Sequence, residues 1–180
     1  MGFFEEKMKI KIGLFILLNV ILQNSHEGIA QQAIFLVRHA DTVRQQGNPD
    51  VPLSEAGQHR AAALAALLKD SGINVIYTTS MLRTIKTAEP LAKLLAIEPK
   101  IQPQLAPGYE LSDIENFANL LRKEHSRDVV LAVLHSNSAP ALIKVLGHPE
   151  GIKIPETEFD NLFIIIPRPE GPPTVLRLRY

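Results

Sequence analysis

Short apolar runs alternate with longer segments of helical pattern from residue 33 to the end of the chain. The run Val129–Leu134 is apolar throughout and too short for a typical helix, so it predicts a strand that is buried on both faces. Buried strands that alternate with helices imply a mostly parallel sheet covered by helices on both sides. The predicted fold class is therefore α/β, a three-layer sandwich with a mostly parallel central sheet.

Turn and capping residues set the boundaries of these elements. Ser112 and Glu115 have the spacing of a capping box, and Ser138 stands before an early-turn proline. The proline-rich stretch 167–173 is expected to form the turn between the last two strands. We predict strands over 33–37, 74–77, 129–134, 162–166 and 174–178, and helices over 54–69, from Ser80 onward, over 112–125 and over 138–147.

The composition of the chain argues against several classes of function. The 180 residues include 46% hydrophobic side chains, enough for one core, and their number favours a single domain over two undersized ones. Basic and acidic residues balance at 19 each, which argues against a surface for nucleic acid or an anionic membrane. Because the chain has no cysteine, disulfides, thiolate catalysis and cysteine-based zinc sites are excluded.

The first thirty residues have the pattern of a secretory signal peptide. Basic residues precede an apolar run over 12–22, and a segment of small residues ends at Ala30. The run is shorter than the roughly 20 apolar residues of a membrane-spanning helix. We expect residues 1–30 to be a signal peptide and 31–180 to be the mature domain, in the periplasm or secreted. Translation from Met8 would give a cleaner leader, and an N-terminal core helix or an uncleaved anchor are the alternatives.

Polar side chains suited to phosphate chemistry follow the predicted strands. Arg38 and His39 follow the first strand, and Arg83 lies in the first turn of the helix after the second. His135 and Ser136 follow the strand at 129–134. Because the carboxyl ends of parallel strands meet at one edge of a sheet, these side chains are expected to converge. Guanidinium groups and helix N-termini bind phosphate oxygens well, so this edge is a predicted phosphate site.

A metal site is the alternative at the same edge. His39, Asp41 and His135 would supply imidazole and carboxylate ligands of the kind that divalent metals use. Arg38 and Arg83 argue against it, because two fixed cations would repel a divalent ion. We therefore expect neither a metal nor another cofactor.

Four motifs in this order resemble those of a known family. Over residues 33–180 the chain resembles the histidine phosphatase superfamily, the phosphoglycerate-mutase-like group. It is more similar to the short bacterial branch that contains the phosphohistidine phosphatases than to the mutases, which carry an asparagine a few residues after the nucleophile. The motifs are Arg38-His39-Ala40, Pro52-Leu53-Ser54-Glu55-Ala56-Gly57, Ser80-Met81-Leu82-Arg83-Thr84 and His135-Ser136-Asn137.

The resemblance implies a metal-independent phosphatase that hydrolyses phosphate monoesters or phosphoramidates through a phosphohistidine intermediate. By this resemblance His39 is the nucleophile. Arg38, Arg83 and His135 would hold the phosphoryl oxygens, with Ser136 as a further phosphate ligand. Neighbouring arginines would keep the imidazole neutral and would stabilise charge on the transferred group. The expected partner is a small phosphorylated substrate in an open pocket.

The acid that protonates the leaving group is left open at this point. Glu110 is the first candidate because it falls where the family places its acidic loop, and Asp113 and Asp41 follow. If none is correctly placed, activity would be limited to substrates with good leaving groups. One alternative function is an exported phosphate-binding protein of the same fold that has lost turnover. Another is intracellular phosphohistidine signalling, which would require retention of the chain in the cytoplasm.

Overall fold

The computed structural model describes residues 32–43 and 47–180, and the predicted signal peptide at 1–30 lies outside the described residues. The strands are β1 (Ala33–Arg38), β2 (Val75–Thr78), β3 (Lys100–Ile101), β4 (Val129–Leu134), β5 (Asn161–Ile166) and β6 (Thr174–Arg179). The α-helices are α1 (Glu55–Leu68), α2 (Leu82–Leu95), α3 (Leu111–Glu124) and α4 (Ser138–Val145), and a 3-10 helix spans Pro103–Leu105.

The strands of the described residues form one six-stranded sheet in the order β3-β2-β4-β1-β5-β6. The pairs β3/β2, β2/β4 and β4/β1 are parallel, whereas β5 is antiparallel to both β1 and β6. At the carboxyl end of the central pair, Arg38 lies opposite Leu134. The chain segments after β1 and β4 therefore leave the sheet side by side.

Helices cover both faces of this sheet, and each face has its own apolar core. Ile34 and Leu36 of β1 belong to a core shared with α3 and α4. Val37, the next residue, belongs to a second core shared with α1 and α2. Successive side chains of a strand point to opposite faces, so β1 contributes to both cores. The α/β three-layer prediction is confirmed, with the antiparallel β5 and β6 at one edge of the sheet.

The N-terminus of α3 differs from the predicted one. Glu110 is the N-cap residue, and the Asp113 carboxylate accepts a hydrogen bond from the Glu110 backbone N–H at 2.9 Å. Ser112 and Glu115 already lie within the helix, so the prediction that they form the capping box is wrong. The carboxylate of Asp113 stabilises an earlier start by satisfying a backbone donor that the helix leaves free.

The serines predicted to begin α2 and α4 are also not the caps. α2 follows Met81, whose side chain makes no capping bond, and not Ser80. In α4 the Asn137 side-chain oxygen accepts a hydrogen bond from the Ser138 N–H at 2.9 Å, so Ser138 is the first helical residue. The Ser138 hydroxyl instead accepts a hydrogen bond from the His135 N–H at 3.2 Å. Because α4 begins at Ser138 and β4 ends at Leu134, only residues 135–137 separate the helix from the strand.

Two short elements, β3 and the 3-10 helix at Pro103–Leu105, carry no sequence pattern that would predict them. A two-residue strand is too short to show alternation, and a 3-10 turn has no long apolar face. Both lie in the connection between α2 and α3. Among the helices that the structure describes, none is both long and apolar enough to cross a membrane.

Candidate active site

A cleft lies at the carboxyl ends of β1 and β4. The His39 N–H donates a hydrogen bond to the Leu134 carbonyl at 2.9 Å, which continues the pairing of the two strands by one residue. The rings of His39 and His135 are consequently adjacent, with centroids 5.4 Å apart and an edge-to-face arrangement. The cleft has a volume of about 260 Å³ and is lined by Arg38, His39, Arg83, Pro107, His135, Ser136, Asn137 and Glu156.

His39 is held in one tautomer. Its Nδ1 lies 2.9 Å from the Ala40 carbonyl oxygen, which can only accept a hydrogen bond, so Nδ1 carries the proton. The Nε2 atom of the neutral ring therefore has a free lone pair. Burial, together with the charges of Arg38 and Arg83, lowers the pKa of His39 to about 4, so the ring is neutral at pH 7. A neutral imidazole with one unprotonated nitrogen is a competent nucleophile.

His135 is also neutral and is positioned by Thr79. Its Nε2 lies 3.1 Å from the Thr79 hydroxyl, and the Thr79 hydroxyl is also 2.9 Å from that of Thr84. Burial, followed by the positive charges that surround it, lowers the pKa of His135 to about 3. If the Thr79 hydroxyl donates to Nε2, Nδ1 of His135 carries its proton. The role of Thr79 could not be predicted from the sequence, because a buried threonine after a strand has no distinctive pattern.

The Arg38 guanidinium is fixed by the segment before β5. Its Nη1 donates to the carbonyl oxygens of Pro155 at 2.9 Å and Glu158 at 3.2 Å, and its Nη2 donates to the Glu156 carboxylate at 2.6 Å. The guanidinium carbon also lies 4.2 Å from the centre of the Phe159 ring. The Nε atom of Arg38 is buried and has no hydrogen-bond partner in the described residues. Arg38 is thus a rigid cation with an unused donor.

Arg83 reaches the cleft from the start of α2. Its Nη1 donates to the Pro49 carbonyl at 2.8 Å, and the neighbouring Leu82 N–H donates to the Asp50 carboxylate at 2.6 Å. These bonds attach the beginning of α2 to the segment that precedes α1. Burial and the like charge of Arg38 lower the pKa of Arg83, while Asp50 raises it. The side chain nevertheless remains charged, because the guanidinium group loses its proton only in strongly alkaline solution.

Ser136 and Glu156 form a pair at the mouth of the cleft. The Ser136 hydroxyl donates to one carboxylate oxygen of Glu156 at 2.6 Å, and the other oxygen binds Arg38. The hydrogen bond from Ser136 and the charge of Arg38 lower the pKa of Glu156 below its usual value. Sequence reasoning missed Glu156, because it lies in an irregular connection 118 residues from Arg38 and follows no strand.

The acids proposed from the sequence lie elsewhere. Glu110 is exposed at the N-terminus of α3, and neither it nor its capping partner Asp113 lines the cleft. Asp41 forms an ion pair with Arg60 at 2.7 Å and is also absent from the lining. A role for Glu110 in proton transfer stays a prediction.

Of the three residues suggested for a metal site, Asp41 does not join the two histidines. Within residues 32–43 and 47–180, no three His, Asp or Glu side chains lie close enough together to hold a metal ion. The Asp41 carboxylate, which would have been the anionic ligand beside the two histidines, is directed into its ion pair with Arg60. The cleft therefore offers arginines, serine and neutral imidazoles, which are donors suited to an oxyanion.

Comparison with known proteins places the motifs in a family context. Residues 34–107 match the model of the histidine phosphatase superfamily, branch 1. The probable phosphoglycerate mutases GpmB of Photorhabdus laumondii and Cronobacter sakazakii are 38% and 36% identical over 77 residues. Each match covers 40% of this chain and 36% of the relative, so the chain matches about a third of the length of these curated relatives.

Solved structures show the same fold over most of the chain. The protein histidine phosphatase SixA, complexed with tungstate, has a TM-score of 0.69 at 20% identity and covers 82% of this chain and 96% of that one. A mycobacterial glucosyl-3-phosphoglycerate phosphatase has a TM-score of 0.62 at 16% identity and covers 82% and 97%. Residues 34–107 are thus similar to branch 1 of the histidine phosphatase superfamily, and most of the chain has the fold of these solved phosphatases.

Proposed function

We propose that this protein is a metal-independent phosphatase that transfers a phosphoryl group to His39 and then to water. The observation that carries the proposal is the state of His39: its ring is neutral, its Nδ1–H is bound to the Ala40 carbonyl, and its Nε2 is unprotonated in a cleft that two arginines also line. An uncharged nitrogen beside fixed cations suits attack on a phosphate, which carries negative charge. The similarity of residues 34–107 to the histidine phosphatase superfamily supports phosphatase-type chemistry.

In the first step the Nε2 lone pair of His39 attacks phosphorus. A P–N bond forms, the bond from phosphorus to the leaving oxygen or nitrogen breaks, and its electron pair goes to the leaving group. Arg38 and Arg83 stabilise the charge on the non-bridging oxygens, and Ser136 can donate a further hydrogen bond once it is released from Glu156. The Ala40 carbonyl stabilises the proton on Nδ1 while the ring becomes cationic.

In the second step water attacks the phosphohistidine. The new P–O bond forms as the P–Nε2 bond breaks, the electron pair returns to His39, and the water passes one proton to solvent or to a neighbouring base, which leaves hydrogen phosphate. The low pKa of His39 favours this step, because a weakly basic nitrogen is a good leaving group. The enzyme is regenerated in its starting tautomer, with the Nδ1 proton retained.

The structural neighbours support phosphatase activity over mutase activity. SixA is named a protein histidine phosphatase, and its structure contains tungstate, a tetrahedral oxyanion with the shape of phosphate. The curated relatives are named as mutases, but the match to them is limited to 77 residues. We propose that the substrate is a small phosphate monoester or a phosphoramidate, and that the protein acts in the periplasm or outside the cell after removal of residues 1–30.

A second candidate, a phosphate-binding protein without turnover, is favoured by one observation. None of the acids proposed from the sequence lines the cleft, and the carboxylate that does line it, that of Glu156, is bound to Arg38. Without a proton donor, hydrolysis would be restricted to leaving groups that depart as anions. Aryl phosphates have such leaving groups, so they separate the two candidates.

The test is aryl phosphate hydrolysis in the presence of EDTA by the wild-type protein, His39→Ala and His59→Ala. His59 is an exposed histidine of α1 and is the matched control. We expect phosphate release by the wild type and by His59→Ala, and background rates for His39→Ala. Phosphate binding without release by a folded wild type would favour the binding protein, and full activity of His39→Ala would contradict the proposed nucleophile.

A further inference from the structure

The Glu156 carboxylate lies where an anionic ligand would be expected to bind. One of its oxygens is 2.6 Å from Nη2 of Arg38, and the other is 2.6 Å from the Ser136 hydroxyl. Both partners line the cleft and belong to the phosphate ligands expected from the sequence. The side chain thus engages two of these donors as an oxyanion would.

We infer that Glu156 competes with the phosphate group of a bound ligand for Arg38 and Ser136, and that it thereby lowers the affinity of the cleft for phosphorylated ligands. This inference rests on the proposed function only in taking the cleft as the phosphoryl site. Any phosphorylated ligand must first replace the carboxylate, and its own negative charge is repelled until Glu156 has moved. Inorganic phosphate cannot offset the free-energy cost of displacing Glu156, because it has no leaving group that could make further contacts.

The unequal burial of the two partners determines which of them moves. The Arg38 side chain is 5% exposed and is held by two backbone carbonyls and the Phe159 ring, whereas the Glu156 side chain is 77% exposed. An exposed glutamate loses little packing when it rotates into water. Arg38 therefore keeps its position through its Nη1 bonds, and its Nη2 donor passes from Glu156 to the ligand.

A pocket beside the cleft explains how a substrate can offset the free-energy cost of displacing Glu156. Ser136, Asn137 and Glu156 line both the cleft and an adjacent pocket of about 490 Å³, which is also bounded by Pro140, Ile152 and Ile154 among others. A leaving group bound there adds contacts that free phosphate lacks. Competition by Glu156 consequently weakens the binding of substrate and phosphate product alike, and the contacts of the leaving group in this pocket favour the substrate.

The experiment measures binding of inorganic phosphate by calorimetry, together with aryl phosphate kinetics, for the full chain and for Glu156→Gln and Glu150→Gln. Glu150 is an exposed glutamate of the same connection, so its variant changes net charge equally. We expect Glu156→Gln to bind phosphate about 3- to 10-fold more tightly and to lower KM by a similar factor, because one repulsive charge is removed. The value of kcat should change less than about twofold, and Glu150→Gln should behave as wild type.

Other roles of Glu156 give different results. A proton donor would lower kcat for an alkyl phosphate, which has a poor leaving group, but not for an aryl phosphate. A purely structural clamp on Arg38 would weaken phosphate binding in Glu156→Gln and in Glu156→Ala. Either result, or unchanged phosphate affinity in a folded variant, overturns the inference.

Phosphate binding is measured without turnover, which separates this inference from the proposed function. Tighter phosphate binding by Glu156→Gln in a protein that hydrolyses nothing would refute the phosphatase and support the inference. Histidine-dependent hydrolysis with equal phosphate affinity in Glu156→Gln and wild type would support the phosphatase and refute the inference.

Discussion

At the scale of single residues, the site depends on how Arg38 is held. Its guanidinium uses separate nitrogens for the backbone carbonyls of the 155–158 segment and for the Glu156 carboxylate, while its flat face lies over the Phe159 ring. A lysine ammonium has a single nitrogen and no flat face, so it cannot make these contacts together. Arginine is thus required here for its geometry as well as its charge.

We expect Arg38→Lys to lower kcat/KM for an aryl phosphate by about 10²- to 10³-fold, the usual effect of losing one preorganised donor to the transition state. The same variant should be somewhat less stable in urea, because the two carbonyls of the 155–158 segment lose a shared partner. Steady-state kinetics and urea denaturation measure the two effects separately.

Arg127→Lys is the matched control, since Arg127 is exposed and lies outside the cleft lining. It should leave both kinetics and stability unchanged. A folded Arg38→Lys protein with wild-type kcat/KM would show that the charge of residue 38 is sufficient and that its hydrogen-bond geometry is not used.

Sequence reasoning at this scale succeeded where a side chain follows a strand. Arg38, His39 and His135 could be placed at one edge because the strand ends themselves could be predicted. Glu156 does not follow a predictable strand end, since it lies between α4 and β5 in a connection without periodicity. Its importance arises from the contact with Arg38, and a contact across 118 residues has no local signal.

At the scale of secondary-structure elements, the start of α1 is hydrogen-bonded to the segment that follows β1 and His39. The Ser54 N–H donates to the Asp41 carbonyl at 3.0 Å, and the Ser54 hydroxyl caps the helix by accepting from the Gly57 N–H at 3.1 Å. Gly57 is buried where α1 approaches the backbone of Asp41. A Cβ atom at residue 57 would overlap the Asp41 carbonyl oxygen and would lie 2.9 Å from its carbon.

Gly57→Ala should therefore push α1 away from the segment that carries His39 and Ala40. We expect the free energy of unfolding to fall by about 1–3 kcal/mol, the usual cost of overpacking, although alanine has the higher intrinsic helix propensity. Activity at a temperature where the variant is folded should also fall, because Asp41 is two residues from His39. Urea denaturation and aryl phosphate kinetics test both effects.

Gly151→Ala is the control for this change. No atom lies within 4 Å of a Cβ atom at residue 151, and Gly151 does not adopt a positive φ. Equal stability of Gly57→Ala and Gly151→Ala would mean that α1 can shift without cost, and it would remove the proposed coupling between α1 and the site.

The sequence predicted the existence of the long elements better than their first residues. Apolar periodicity extends over a whole helix, whereas a cap depends on one or two hydrogen bonds. In α3 the Asp113 carboxylate and the Glu110 N–H decide the start, and in α4 the Asn137 amide oxygen does. Serine, asparagine and acidic residues compete for the same role, so their order along the chain does not identify the cap.

At the scale of the whole molecule, burial in the fold determines the protonation state of the two histidines of the cleft. The sheet between two helix layers could be predicted because its strands are continuous apolar runs, which fit only a sheet covered on both faces. The antiparallel direction of β5 relative to β1 could not be predicted in the same way, since a buried strand reads the same in either direction. The fold then places His39 and His135 in buried positions at the ends of β1 and β4, in a cleft that two arginines also line.

This burial should make the stability of the protein depend on pH. In the unfolded chain both histidines have a pKa near 6.5, whereas in the folded protein the pKa is about 4 for His39 and about 3 for His135. Between these values the unfolded state binds protons that the folded state does not, so acidification favours unfolding. Stability is fully present above about pH 6.5 and is lost progressively as the pH falls toward 4.

Urea denaturation between pH 7.5 and 5 isolates this effect, because the carboxylates with lowered pKa values, such as Glu156, titrate below that window. Two such histidines can contribute up to about 2.7 kcal/mol per pH unit, since one unit of pKa corresponds to 1.36 kcal/mol for each group. His135→Gln removes one titrating group and should roughly halve the slope of stability against pH, whatever its effect on stability at pH 7.5. An equal slope in the wild type and His135→Gln would show that His135 has the same pKa in the folded and unfolded states, and burial would then not be what keeps its ring neutral.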